Sequence, residues 1–230
     1  MDKNTFIETL AKLAAGNAEY ASFNRRIANT KKDVTGVRLP DMRRLAKDIS
    51  KGMDAAAVLA FLKETDENSF EQVMVAGLVI DYAKLTDAEK ISLTREYLKY
   101  ADSWALIDSF TGKLKRFDEK LWWDFAVECL GSDEEFTVRY GVIRFMESFL
   151  AAEQLPDVFA ALRGVRHEGY YVKMGMAWLY ADAALLDFKA TIEEVDNPTT
   201  DPWTRKKALQ KMLESYRITD EQKALIRKIR

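Results

Sequence analysis

Cysteine occurs once, at Cys129, and histidine once, at His167. A lone cysteine excludes an internal disulfide and a cysteine-based zinc cluster, and a lone histidine has no second ring to share a metal with. Proline (four) and glycine (ten) are too scarce for an all-β chain built from many tight turns. No stretch approaches the eighteen or so uninterrupted apolar residues that a membrane-spanning helix requires. The opening Met1-Asp2-Lys3-Asn4-Thr5 lacks the apolar run of a secretory leader, so a cytoplasmic protein is expected. Glycines such as Gly52, Gly112 and Gly164 stand alone, so no phosphate-cradling loop is present and nucleotide hydrolysis finds no support. An excess of positive charge is missing too. The formal net charge is −2, so nucleic-acid binding requires the cations to be segregated onto one face.

Apolar residues make up 48% of the chain and charged residues 31%, which suits helices with one buried and one solvated side. Thr5-x-x-Glu8, Thr86-x-x-Glu89, Ser132-x-x-Glu135 and Thr219-x-x-Gln222 read as capping boxes that open apolar-periodic runs. Gly16, Gly52 and Gly131 fall where helices end. Asn197-Pro198-Thr199-Thr200-Asp201-Pro202 is the clearest loop. About a dozen short helices follow from these signals, and no segment alternates with the period of a strand.

Aromatic residues recur at helix starts: Phe70, Trp104, Phe136, Tyr170 and Trp203, with spacings of 34, 32, 34 and 33 residues. Phe136-Thr137-Val138-Arg139-Tyr140-Gly141-Val142 also aligns in part with Tyr170-Tyr171-Val172-Lys173-Met174-Gly175-Met176. A period near 33 with two helices per unit predicts an all-α solenoid of helix-pair repeats, an α-α superhelix extending over residues 1–230 as a single domain. Positions three, four and eight after each aromatic lie at about 300°, 40° and 80° around a helix, on the aromatic's own side. In the later repeats they gather Arg139, Arg144, Lys173, Lys206, Lys207 and Lys211, with Asp108 the one carboxylate among them. A basic groove is one reading of this face. The other is a core face from which long basic stems emerge.

Several fragments resemble the bacterial DNA alkylation repair family, the AlkD-like DNA glycosylases built from HEAT-like repeats. They are Gly36-Val37-Arg38-Leu39-Pro40, Asp102-Ser103-Trp104-Ala105-Leu106-Ile107-Asp108, Thr137-Val138-Arg139-Tyr140-Gly141 and Tyr170 to Trp178. The C-terminal Lys206-Lys207-Ala208-Leu209-Gln210-Lys211 and Glu214-Ser215-Tyr216-Arg217-Ile218 fit as well, so the resemblance runs from about residue 20 to the end. It implies a right-handed helical-repeat superhelix and cofactor-free, metal-free hydrolytic release of N3- or N7-alkylated purines from duplex DNA. Residue by residue, Trp104 and Trp178 match the tryptophans that contact the lesion's deoxyribose, Asp108 the catalytic carboxylate, and Arg139 a backbone-binding arginine. The lysines and arginines would hold phosphates, and a monomer acting at the bacterial nucleoid is the expected form. The chain departs from the pattern in three places. Ile27 stands where many relatives carry an aromatic, Tyr140 replaces the second arginine of the usual pair, and Ala181 stands where an arginine is frequent.

Two other functions remain consistent with the residues: a non-cleaving binder of damaged or branched DNA, and a protein-interaction solenoid. His167 is expected in a surface loop, Cys129 as a buried small residue, and Trp122 and Trp123 in the packing between repeats.

Overall fold

The computed structural model describes residues 2–112 and 114–229, and among these fourteen α-helices and one 3-10 turn make up the fold. In chain order they are α1 (Lys3–Ala14), α2 (Ala18–Ala28), α3 (Leu39–Ile49), α4 (Ala55–Glu64), α5 (Phe70–Tyr82), α6 (Asp87–Leu98) and α7 (Trp104–Phe110). There follow α8 (Glu119–Leu130), α9 (Glu135–Ser148), α10 (Leu155–Leu162), α11 (Tyr170–Ala183), α12 (Phe188–Val195), α13 (Pro202–Glu214) and α14 (Asp220–Ile229). The only β-type pairing among the described residues is an isolated bridge between Asp33 and Ser69. The chain is an all-α helical-repeat protein.

It divides into two compact units. The first holds residues 2–112 and 117–122, and the second holds 114–116 and 123–229, so the division falls within α8. In the first unit α3, α5 and α7 lie side by side, with α4 and α6 packed as the partner layer. In the second, α9, α11 and α13 lie side by side, with α12 against α11 and α14 against α13. All five repeat aromatics stand within the first two residues of these side-by-side helices: Phe70 on α5, Trp104 on α7, Phe136 on α9, Tyr170 on α11 and Trp203 on α13.

The centre of each unit is a helix without a polar side. Every residue of α5 from Phe70 to Ile80 is buried, and so is every residue of α9 from Val138 to Met146. α5 is apolar nearly all round and belongs in the interior, whereas α9 is enclosed with two arginines, Arg139 and Arg144, inside.

Local signals set most of the helix ends. Thr86 and Glu89 form the expected capping box, and Thr219 and Gln222 exchange the same pair of bonds at α14. The other two boxes do not form. At α1 the carboxylate of Asp2 accepts from both the Thr5 backbone (3.0 Å) and its hydroxyl (2.7 Å), so the helix starts before Thr5. Ser132 Oγ instead closes a turn onto the Glu134 N–H, and α9 starts at Glu135. Gly16 and Gly52 take left-handed backbone after their helices, but Gly131 does not and is held by its N–H to Glu128 O.

Gly36 cannot be replaced: its φ is +95°, and a Cβ there would lie 2.9 Å from the carbonyl oxygen of Asn17. The loop it sits in is held by Glu71, a fully buried carboxylate that accepts from the N–H groups of Gly36 (2.8 Å) and Thr35 (3.0 Å). Loss of the acceptor from the buried Gly36 N–H, and from Thr35 beside it, is severe. Glu71→Ala is therefore expected to lower stability by about 3 kcal/mol. Glu71→Gln, which keeps one acceptor oxygen, should cost less, and urea unfolding of the two variants compares them.

Candidate nucleic-acid interface

In the first unit the start of α7 is bound to the end of α2. Asp102 accepts from the Thr30 hydroxyl (2.8 Å) and the Lys31 N–H (2.9 Å). Ser103 Oγ donates to Ala28 O (2.6 Å) while accepting from Ala105 N, which caps α7. The indole N–H of Trp104 donates to Ile27 O at 3.0 Å. Three consecutive residues are thus tied to a segment more than seventy residues earlier, which fixes the indole by its polar edge. Asp108 is half-buried one turn further along α7, on the same helix side as Trp104.

Beneath α7 lies Tyr97, which is fully buried and donates its hydroxyl to Leu106 O (3.1 Å). Burial pushes this phenol well above its ordinary titration range, so it stays protonated and remains a donor. Its ring packs against Phe110 at 4.7 Å and sits where a Cβ on Gly77 would be, 2.6 Å from its Cζ. Sequence reasoning does not find Tyr97. One tyrosine in an amphipathic helix carries no signal of what lies above it.

In the second unit the predicted basic residues divide. Arg139 and Arg144, expected to line a groove, are each only 3% exposed. Arg139 Nη1 donates to Tyr171 O (2.6 Å), binding α9 to α11. Arg144 donates to the Tyr140 hydroxyl through Nε (3.3 Å) and Nη2 (3.1 Å) and to Ser148 Oγ through Nη1 (3.3 Å). The groove reading fails for these two because α9 is interior on every side, so a helical-wheel angle there does not select a solvated face. Tyr140, one of the three departures from the expected pattern, is buried, and its hydroxyl accepts from Arg144.

Lys173 is also committed, to Glu168 and to Asp201 (3.1 Å). The cations left at the surface belong to α13. Lys206 is exposed, Lys207 lies over the Trp203 ring at 6.0 Å, and Lys211 is half-buried. Trp178, on α11, is 37% exposed.

The hydrogen bond to Glu168 holds the Lys173 ammonium above its ordinary range against the opposing effect of burial, and Asp201 adds to the rise. Burial pushes the Asp201 carboxyl up, but the Thr204 donors and Lys173 outweigh it and leave it below the usual carboxylate range. A lowered folded-state value means that Asp201 contributes stability above its unfolded pKa of about 4 and loses it as pH falls through the lowered value. Asp201→Asn should therefore lower the melting temperature at neutral pH and flatten the acid limb of melting temperature against pH.

His167 is not a free surface residue. Its Nδ1 lies 2.9 Å from Gly169 N and its Nε2 3.1 Å from Asp133 O, so the ring bridges the segments that lead into α9 and α11. Cys129 and Trp122 are buried, and Trp123 packs edge-on against Phe145 (4.8 Å) and Phe149 (5.2 Å). Among the described residues no three His, Cys, Asp or Glu side chains are grouped as for a metal ion, and no helix is long and apolar enough to cross a membrane.

The family model described as DNA alkylation repair enzyme matches residues 8–222. No curated protein matches the sequence.

Proposed function

Because the chain belongs to the DNA alkylation repair enzyme family, we propose that it is a DNA glycosylase that hydrolyses the N-glycosidic bond of N3- and N7-alkylated purines in duplex DNA. The observation that carries this reading is the Trp104–Asp108 pair on α7, with the indole pinned through Nε1 and the carboxylate one turn away. An N3- or N7-alkylpurine is cationic, so the bond from sugar C1′ to the base nitrogen is already weakened. When it breaks, its electron pair leaves with the base and neutralises it, and positive charge develops on the sugar. A fixed carboxylate at Asp108 stabilises that charge and orients the water that forms the new C1′–O bond. The water's proton passes to solvent, leaving an abasic site.

Trp104 is assigned to the sugar, where an indole face attracts developing positive charge; Trp178, in the other unit, keeps only the role that the family pattern gives it. Lys206, Lys207 and Lys211 are assigned to phosphates, giving affinity that depends on salt and not on sequence. Arg139 ties α9 to α11 from inside, and Arg144 bonds within α9. Water is the only co-substrate that the reaction uses.

A non-cleaving DNA binder is the second reading, since the departures at Ile27, Tyr140 and Ala181 bear on cleavage, while the burial of Arg139 and Arg144 removes expected phosphate contacts from both readings. The deciding measurement is release of 3- and 7-methylpurines from methylated duplex DNA. Release at a rate above that of the DNA alone supports the glycosylase. Salt-dependent DNA affinity without release supports the binder, and absence of DNA affinity points to a protein partner.

A further inference from the structure

The repeat-opening aromatic is used differently in the two units. In the first, Phe70 is 1% exposed and Trp104 is tied through its indole N–H to Ile27 O. In the second, Tyr170 is 54% exposed and Trp203 37%. The rings there touch in series across three successive helices. Phe136 meets Tyr171 at 5.6 Å, Tyr171 meets Tyr170 at 5.1 Å with the planes 86° apart, and Tyr170 meets Trp203 at 5.5 Å and 65°. The two contacts of Tyr170 are edge-to-face, a geometry that fixes a ring against its neighbours, and the exposure lies chiefly on Tyr170 and Trp203.

The helix packing does not require this exposure. The interior of the unit at α11 and α13 is formed by Val172, Leu179, Leu209 and Met212, all of them buried. The charges beside the run are also sorted. Three carboxylates beside it are engaged: Glu135 holds the Tyr171 N–H (2.7 Å), and Glu168 and Asp201 share Lys173. The cations nearest the outer end of the run are Lys207 over Trp203 and exposed Lys206 on the same helix.

π-Faces next to ammonium groups suit unpaired nucleotides. Every base has a face that can stack regardless of sequence, and phosphates meet the lysines. An intact duplex keeps its base faces within its own stack and has nothing to lay on these rings. We propose that the Phe136–Tyr171–Tyr170–Trp203 run, with Lys206 and Lys207, binds single-stranded or locally unpaired DNA without sequence preference. This goes beyond base release, because it needs no alkylated base and uses none of Trp104, Asp108 and Trp178.

The test measures fluorescence anisotropy of the full chain with a labelled oligothymidylate of about twelve nucleotides, within the span of known single-strand sites, and with a duplex of equal length. The single strand is expected to bind more tightly. The double substitution Tyr170→Ala with Trp203→Ala should weaken single-strand binding by about 100-fold, roughly tenfold per ring, and leave duplex binding nearly unchanged. Tyr170→Phe with Trp203→Phe keeps both ring faces and should stay within about threefold of the unmutated chain. Equal or tighter duplex binding overturns the proposal, as does a phenylalanine variant that loses as much as the alanine one. Failure of the unmutated chain to bind the oligothymidylate overturns it too, and would point to a protein partner for the rings. Base release from methylated duplex is read in the same preparations, so loss of one reading is distinguished from loss of the other.

Discussion

Asp108→Asn is expected to lower base release from methylated duplex DNA by about 100-fold or more, by analogy with other groups that stabilise transition-state charge. The replacement is nearly isosteric and removes only the charge that the proposed reaction sets opposite the developing sugar cation. Affinity for unmodified duplex should change little, because Asp108 has no attractive role toward phosphates, and thermal melts of the variant report any structural part that the carboxylate plays. Those controls separate catalysis from architecture. A carboxylate that only ordered its neighbours would give a lowered melting temperature and normal release, and that outcome would remove Asp108 from the proposed chemistry. Trp104 needs a different control, since its indole also ties α7 to the end of α2. Trp104→Phe keeps an aromatic face and loses that bond, so its effect on stability should exceed that of Asp108→Asn.

Arg139→Ala is expected to act on stability, in contrast to the surface lysines. The buried guanidinium donates to Tyr171 O, and removing it leaves that carbonyl without this donor and opens space between α9 and α11. A loss of about 3 kcal/mol is expected, which lowers the melting temperature by roughly 10 °C or more for a unit of this size. The slope of log affinity for DNA against log salt should not move. Lys206→Ala should do the opposite: almost no change in melting temperature, affinity reduced about equally for all sequences, and a salt slope smaller by about one unit. Thermal melts paired with salt titrations of the two variants check this. If Arg139→Ala reduced the salt slope at unchanged stability, the buried arrangement would not be the one that meets DNA.

The architecture was legible because it rests on local rules repeated along the chain. The spacing of Phe70, Trp104, Phe136, Tyr170 and Trp203 reports the length of a helix pair, and each of these residues does stand at a helix start. Capping by Thr86 and Thr219 is local chemistry and was readable, whereas Thr5 is itself capped by Asp2, whose carboxylate accepts from its N–H and hydroxyl and starts the helix before it. Trp104 and Asp108 could be paired on one helix side from their spacing of four alone.

Side-chain roles that depend on other elements were not legible. A wheel angle identifies a side of a helix without saying what lies against it. On α13 the side bearing Lys206 is open, but on α9 the matching positions are enclosed, and Arg139 and Arg144 became internal donors. Likewise the repeat aromatic is a core anchor at Phe70 and a surface ring at Tyr170. Glu71, Tyr97 and His167 make their defining contacts across sequence separations that no local pattern encodes. The sequence by itself determined the helices, their period and the family. Only the tertiary structure decided which cations meet solvent, because burial depends on every neighbouring helix and not on the residue's own.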